Sequence, residues 1–164
     1  MSKQQLERVE TPKLVRQYDT DFFRWTQDTA ELIRQRRFDE LDLEHVAEEI
    51  QDMGLRDHRE VRSRFIVLVM HLLKWQLQPE RRGTSSWVAT IGEQRTELSL
   101  VLEDSPSLRR VPKEQLLVIY RRAVQRAIKE TRLPANGFPA DCPYSQEQIL
   151  DDDFFPEGPL TPRG

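Results

Sequence analysis

The sequence predicts an all-α protein: a single-domain bundle of about five helices, followed by a proline-rich C-terminal tail that wraps the bundle. Two observations favour this fold class. Apolar residues recur three or four positions apart over most of the chain, which is the spacing of one face of an α-helix. Residues of alternating polarity, which would indicate β-strands, never extend over more than a few positions. With 164 residues, the chain is long enough to build one domain around a real core.

Five amphipathic helices are predicted, and each boundary is set by a residue that caps or breaks a helix. Asp and Ser accept hydrogen bonds from the exposed amides of a first turn, Gly permits a left-handed ending, and Pro stops a helix or occupies its first turn. The predicted helices run from Asp19 or Thr20 to about Arg36, from Asp42 to Met53 with Gly54 as terminator or kink, from Leu55 to Gln78, from Ser85 or Ser86 to Ser105, and from Pro112 to Thr131.

The two ends of the chain differ in composition from the helical part. Residues 1–16 are predicted to be a polar lead-in, residues 17–132 the bundle, and residues 133–164 the tail, which belongs to the same domain to about residue 157. The tail holds six prolines and one short helical pattern from Ser145 to Leu150. A disordered tail is the alternative to a wrapped one. The aromatic side chains expected to hold a wrapped tail are Phe138, Tyr144, Phe154 and Phe155.

Composition and charge limit the classes of function. The net charge of -3 gives no general attraction to nucleic acid. The single cysteine, Cys142, excludes an internal disulfide and suits a reducing cytoplasm. The longest apolar run, Phe65 to Met70, is far shorter than a membrane span. The cysteine count and the short apolar run together predict a soluble cytoplasmic protein. No phosphate-binding loop, zinc-finger spacing or nucleotide-binding glycine pattern occurs, so no cofactor is expected.

A polar ridge crosses the otherwise apolar third helix. On a helical wheel Arg64, His71, Trp75 and Gln78 fall within about 60° of one another, and Lys74 lies at the margin of that sector. A charged group without a partner is costly in a core. The ridge is therefore expected to meet either water or partner groups from other helices.

One arginine of the fourth helix needs a partner for the same reason. Arg95 lies in the apolar stripe beside Leu98 and would need a carboxylate, for which Glu49 and Asp42 are the first candidates. The predicted cluster then combines the ridge with these helices and with two aromatic walls. Its members are Glu49, Arg64, His71, Lys74, Gln78 and Arg95, with Trp75 and Trp87 as the walls.

Two interpretations of this cluster stay open. It is either a buried polar network that fixes the register of the helices or a pocket that recognises an anion, such as a phosphate or a carboxylate. In the second case the loop after the third helix adds two further arginines. The ligand-binding candidates are Arg64, Lys74, Gln78, Arg81, Arg82 and Arg95, together with Trp75 and Trp87.

Acid–base and metal chemistry have weaker support in the sequence. His71 beside Glu49 would form an acid–base pair, although no nucleophile is specified. His45, Glu49 and Asp52 follow one another at helical spacing, and helical bundles bind divalent metals with carboxylates and histidines at related spacings. Because His45 points away from the apolar face of its helix, a solvated edge is the simpler interpretation and no metal is expected.

Motifs spread along the chain together resemble those of one known family. They are Asp19, Asp21-Phe22 and Trp25; Phe38 and Leu41-Asp42; Glu48-Glu49-Ile50 and Met53-Gly54; His71 to Trp75; Gln78-Pro79; Trp87, Thr90-Ile91 and Gln94-Arg95; Ser105 to Leu108; Phe138-Pro139, Cys142-Pro143, Ile149-Leu150 and Phe154. The family is catalogued as domain of unknown function 29 and is frequent in cyanobacteria and some proteobacteria. The resemblance covers about residues 17–157. It implies an all-helical, cytoplasmic bacterial protein, and it implies no activity.

Two positions depart from the pattern of that family. Arg36 replaces a glycine that is common in the turn before Phe38, so the turn carries an unusual residue. Leu55 stands where an arginine often follows Met53-Gly54. The second change removes a basic group near the predicted cluster, which weakens the anion-pocket interpretation.

We interpret the chain as a non-enzymatic binding or interaction module, with a candidate surface in the cleft around Glu49, His71, Lys74, Arg81 and Arg95. One alternative is an enzyme that acts on a phosphorylated or nucleic-acid substrate, with His71 and Glu49 transferring protons. Another is a structural subunit of a homo-oligomer, which would leave an apolar face of the first or fifth helix uncovered in the monomer. The expected partner is an anionic small molecule or another protein, and neither a membrane nor nucleic acid is expected.

Overall fold

The computed structural model describes residues 13–84 and 86–160, and its regular elements over these ranges are helical. The α-helices are α1 Lys13–Thr20, α2 Phe22–Arg34, α3 Leu43–Leu77, α4 Trp87–Asp104, α5 Arg110–Thr131 and α6 Gln146–Leu150, with short 3₁₀ turns in the connections. The predicted all-α class is confirmed. The chain divides into two compact units, the first ending at Gly54 and the second beginning at Leu55.

The first unit is held together by α1 packing against α2. Leu14 of α1 and Trp25 of α2 are buried, and Lys13 bridges the two helices through an ion pair with Asp28 at 3.0 Å. Asp21 caps the N-terminus of α2, because its carboxylate accepts a hydrogen bond from the backbone amide of Arg24 in the first turn. The helix α1 corrects one expectation, since residues 13–16 belong to a helix and not to a loose lead-in. Residues 1–12 of that lead-in lie outside the described part.

The helix α3 corrects a second expectation. The sequence predicted separate helices on either side of Gly54, but α3 runs unbroken from Leu43 to Leu77. A lone glycine costs only about 1 kcal/mol in a helix interior, and no proline follows it before Pro79. The strong helix formers Met53 and Leu55 beside the glycine therefore outweigh it.

The core lies in the second unit, between the last two thirds of α3 and the helices α4 and α5. The apolar run that the sequence identified is at its centre, with Phe65, Leu68 and Val69 fully buried. Pro112 lies in the first turn of α5, where its missing amide costs no hydrogen bond. The predicted start of α4 at Ser86 precedes the observed one by a single residue, and Ser85 lies outside the described residues.

The C-terminal tail packs against this core, as predicted. Phe138 and Tyr144 are buried, and Phe154 and Phe155 pack partly buried against the same cluster. Hydrogen bonds fix the tail as well, since the Tyr144 hydroxyl donates to Gln76 at 2.7 Å. Within the described ranges, no helix is long and apolar enough to cross a membrane.

Candidate functional site

The predicted cluster on the C-terminal half of α3 is partly assembled. Lys74 is buried to all but 8% and forms an ion pair with Glu130 of α5 at 2.6 Å. Its ammonium group also lies 5.1 Å from the centre of the Trp87 ring, which is a cation–π distance. The charge of Lys74 is thus compensated by groups of the chain itself.

The two arginines of the following turn cover the aromatic walls. Arg82 lies over the Trp75 ring at 4.8 Å and donates from Nε to the Trp75 carbonyl at 2.8 Å. Arg81 lies 5.7 Å from the centre of the Trp87 ring. The structure therefore brings Lys74, Arg81 and Arg82 together around two tryptophans.

Arg64 and His71 have separate partners. Arg64 donates to Glu60 at 2.8 Å and to Glu97 of α4 at 3.1 Å. His71 is half-buried, and its Nδ1 lies 2.8 Å from the carbonyl oxygen of Val67 one turn earlier. Burial lowers the pKa of His71, and the Val67 carbonyl opposes that shift. His71 therefore makes a local contact along α3, whereas Arg64 also links α3 to α4.

Gln78 and Trp75 contribute the polar atoms of this region that have no partner among the described residues. Gln78 is nine-tenths buried, and its Oε1 has no donor, while the buried Nε1 of Trp75 has no acceptor. A buried polar atom without a hydrogen bond costs about 1–3 kcal/mol. The polar groups at the end of α3 are therefore less completely hydrogen-bonded than the Lys74–Glu130 ion pair beside them.

Arg95 is buried to all but 3%, but its partners correct the prediction. The guanidinium group does not bind Glu49 or Asp42. It donates to three backbone carbonyls of the tail, those of Ile149 at 3.0 Å, Asp152 at 3.1 Å and Phe154 at 2.7 Å. Burial lowers the pKa of Arg95, and the nearby charges of the Asp151–Asp153 segment oppose that shift.

Glu49 has a partner in the first unit. It accepts a hydrogen bond from the Tyr18 hydroxyl at 2.8 Å, which raises the pKa of Tyr18 to about 12. His71 has a different partner, the carbonyl oxygen of Val67. The acid–base pair of His71 and Glu49 therefore stays a prediction.

The weak metal candidate is not supported either. The ring of His45 stacks on Tyr18 with 3.8 Å between ring centres, and its Nδ1 is hydrogen-bonded to Asp42. No group of three metal-ligating side chains occurs in the described part of the chain, which includes His45, Glu49 and Asp52. His45 and Glu49 instead tie α1 to the first turns of α3 through Tyr18.

The first unit carries a surface that sequence reasoning missed. Leu43, Ile50 and Met53 have the spacing of one apolar helix face, yet they are 61%, 65% and 62% exposed. Leu43 and Ile50 are two turns apart, and Met53 follows one turn later, so the three lie on one side of α3. We call these three side chains the docking face. Phe23 of α2 is also exposed, to 75%.

A groove of about 770 Å³ adjoins the docking face and is formed by residues 13–44 of the first unit. Leu43 belongs to both surfaces, and Leu14, Leu32 and Leu41 also line the groove. Two of its lining residues are basic, Lys13 and Arg37. Six are carboxylates, which makes the groove acidic; these are Asp28, Glu31, Asp39, Glu40, Asp42 and Glu44.

Fold and geometry define the class of protein. It is an all-helical protein whose central charged side chains have partners within the chain and whose first unit exposes apolar side chains. The family described as Domain of unknown function DUF29 matches residues 17–155, and the chain belongs to this family. No curated protein matches the chain, and no solved structure matches it. The function must therefore be argued from the geometry.

Proposed function

We propose that this protein is a non-enzymatic interaction module that binds another protein through the first unit. The observation that carries the proposal is the docking face, since three large apolar side chains on one side of α3 are each more than half exposed. Clustered apolar surface on a protein marks an interaction site more often than isolated exposed residues do. Burying one such side chain completely contributes about 1.5–3 kcal/mol.

The arrangement of the charged cluster supports a structural role for it. The charge of Lys74 is neutralised by Glu130, and Arg95 donates three hydrogen bonds to carbonyls of the tail. Groups engaged in this way would have to give up internal contacts before they could hold a substrate anion. We therefore assign this cluster to fixing the helices and the tail, and we assign binding to the docking face.

The proposal can be tested with the full chain as an affinity bait. A captured protein is produced separately, and its dissociation constant for the purified chain is measured by calorimetry. Ile50→Asp should weaken that complex about tenfold or more, because it places a charge in the buried interface. The matched control is Val118→Asp on α5, which also changes an exposed apolar residue and should alter affinity within about twofold.

Two outcomes would contradict the proposal. One is that no captured protein forms a binary complex with the purified chain. The other is that Ile50→Asp and Val118→Asp weaken the complex equally, which would place the interface elsewhere. Circular dichroism of both variants confirms that each remains folded, as expected for substitutions at exposed positions.

A further inference from the structure

We propose that the docking face and the acidic groove together bind a basic amphipathic helix of another protein. This inference rests on the proposed function and names the chemistry of its partner. Leu43, Ile50 and Met53 span ten residues of α3, or about 15 Å along its axis. A helix that crosses or follows this face presents apolar side chains at positions i, i+3 or i+4, and i+7, which is the recognition pattern of helix-in-groove complexes.

The charge around the face decides the sign of the partner. Residues 39–52 contain seven carboxylates and neither lysine nor arginine, and of these Glu48 and Asp52 lie on the side of α3 opposite Ile50. The groove adds Asp28 and Glu31, which form ion pairs with Lys13 and Arg34. Since the Debye length is about 8 Å at physiological ionic strength, charges within one helix diameter act on a docked chain. A partner with lysines and arginines beside its apolar stripe would therefore be attracted.

The same charge argues against three other occupants. A second copy that docked through this face would bring the carboxylates of one acidic groove, including the exposed Asp39 and Glu44, close to those of the other. Like charges at this distance oppose association. Nucleic acid and anionic lipid surfaces would be repelled for the same reason. The apolar face and its acidic border thus favour a basic protein helix.

The groove offers a place for an anchoring side chain of that helix. Its volume of about 770 Å³ is of the size of ligand pockets in proteins. Leu32 and Leu41 supply apolar lining, and Asp39 and Glu44 are exposed carboxylates at its border. An apolar residue of the partner flanked by lysine or arginine would match this combination, with its apolar part in the groove and its charges at the border.

Three synthetic peptides of equal length test the inference by fluorescence anisotropy with the full chain. The first is an amphipathic helix with leucines at helical spacing and lysines and arginines beside them. The second keeps the leucines and carries glutamates, and the third keeps the basic residues and replaces the leucines by serines. The first should bind about tenfold or more tightly than either of the others, and 0.5 M salt should weaken it.

Charge reversal in the protein provides the matched test. The double variant Asp39→Lys with Glu44→Lys leaves four carboxylates and four basic side chains in the groove, so it should abolish the preference and the two leucine peptides should bind about equally. Glu93→Lys with Asp104→Lys makes the same change in net charge on α4 and should leave the preference as it was. Ile50→Asp should abolish binding of both leucine peptides.

The outcomes separate this inference from the proposed function. Equal binding of the two leucine peptides, lost in Ile50→Asp, would overturn the basic partner and keep the interaction module. The same conclusion follows if no peptide binds but a captured protein still binds the chain and loses affinity in Ile50→Asp. If sedimentation shows a dimer that Ile50→Asp dissociates, the partner is a second copy and the inference fails. If neither peptides nor any protein binds, both proposals fail.

Discussion

Arg95 ties the C-terminal tail to α4 by donating to three tail carbonyls. Arg95→Ala removes the donors and leaves these acceptors without partners, so we expect the free energy of unfolding to fall by about 3 kcal/mol. Urea denaturation measures this change. Limited proteolysis should show faster cleavage within residues 133–160, because the tail loses its attachment.

The control for Arg95 is Arg121→Ala, an exposed arginine of α5 that should change stability by less than about 0.5 kcal/mol. Arg95→Lys should recover only part of the loss, because an ammonium group cannot reach three carbonyls with the planar fork of arginine. Unchanged stability in Arg95→Ala would refute the structural role of this residue.

Arg36 has a left-handed backbone with a φ of 58°. Side chains other than glycine are strained there by about 1–2 kcal/mol. A glycine at this position would avoid the strain. We expect Arg36→Gly to raise the stability of the first unit by about 0.5–1 kcal/mol, which a higher melting temperature in circular dichroism would report. A lower melting temperature would contradict the role of the backbone strain.

His45 and His71 are expected to titrate on opposite sides of pH 6.5. The hydrogen bond with Asp42 raises the pKa of His45, whereas burial lowers the pKa of His71. Imidazole resonances followed by NMR against pH give both midpoints, and His71→Gln and His45→Gln assign them. A midpoint for His71 above that of His45 would contradict the contacts described above.

These two shifts have opposite effects on stability. The stabilisation from protonated His45 is present below the pKa of the unfolded chain and is lost as pH rises through its folded pKa. For His71 the unfolded chain binds the proton more readily. Stability is therefore lost as pH falls from about 6.5 towards the folded pKa of His71.

The sequence predicts the burial of individual side chains better than it predicts the partners of those side chains. The position of Arg95 within an apolar stripe was enough to predict its burial, since the spacing fixes the helix face. Its partners are backbone carbonyls, which every residue carries, so no residue type in the tail could identify them. Lys74 lies close to the Trp87 ring because both residues are near ends of helices that one short segment joins.

At the scale of elements, the continuity of α3 at Gly54 gives a direct prediction. A methyl group added to Gly54 would meet no atom within 4 Å. Gly54→Ala should therefore raise the free energy of unfolding by up to about 1 kcal/mol, because alanine has the higher helix propensity. Thermal denaturation measures the gain. Destabilisation would indicate a helix end or a kink at this residue, as the sequence first suggested.

The helices themselves were predictable because their apolar periodicity is long and regular. The direction in which each apolar face points was less predictable. Leu43, Ile50 and Met53 have the spacing of a core-facing stripe, and that pattern does not say whether the chain or a partner covers it. A signal was present in residues 39–52, where seven carboxylates occur without a lysine or an arginine, since such a run suits a surface that meets a basic partner.

At the scale of the whole molecule, the two units have different characters. The second unit contains the continuous apolar core, which runs from Val61 to Ile149 and is closed by the tail. Over its described residues, 13–54, the first unit buries Leu14 and Trp25 while exposing seven large apolar side chains. They are Phe22, Phe23, Ile33, Phe38, Leu43, Ile50 and Met53. We infer that the second unit provides the stable scaffold and the first unit provides recognition.

The measurement that tests this division most directly is site-specific photo-crosslinking in the cells that naturally produce the protein. A photoreactive amino acid is placed at position 50 and, as the control, at position 118 of α5. The account predicts a discrete adduct with a different protein from position 50 and none from position 118, with the linked peptide forming a basic helix. An adduct only with a second copy, or equal adducts from both positions, would contradict it.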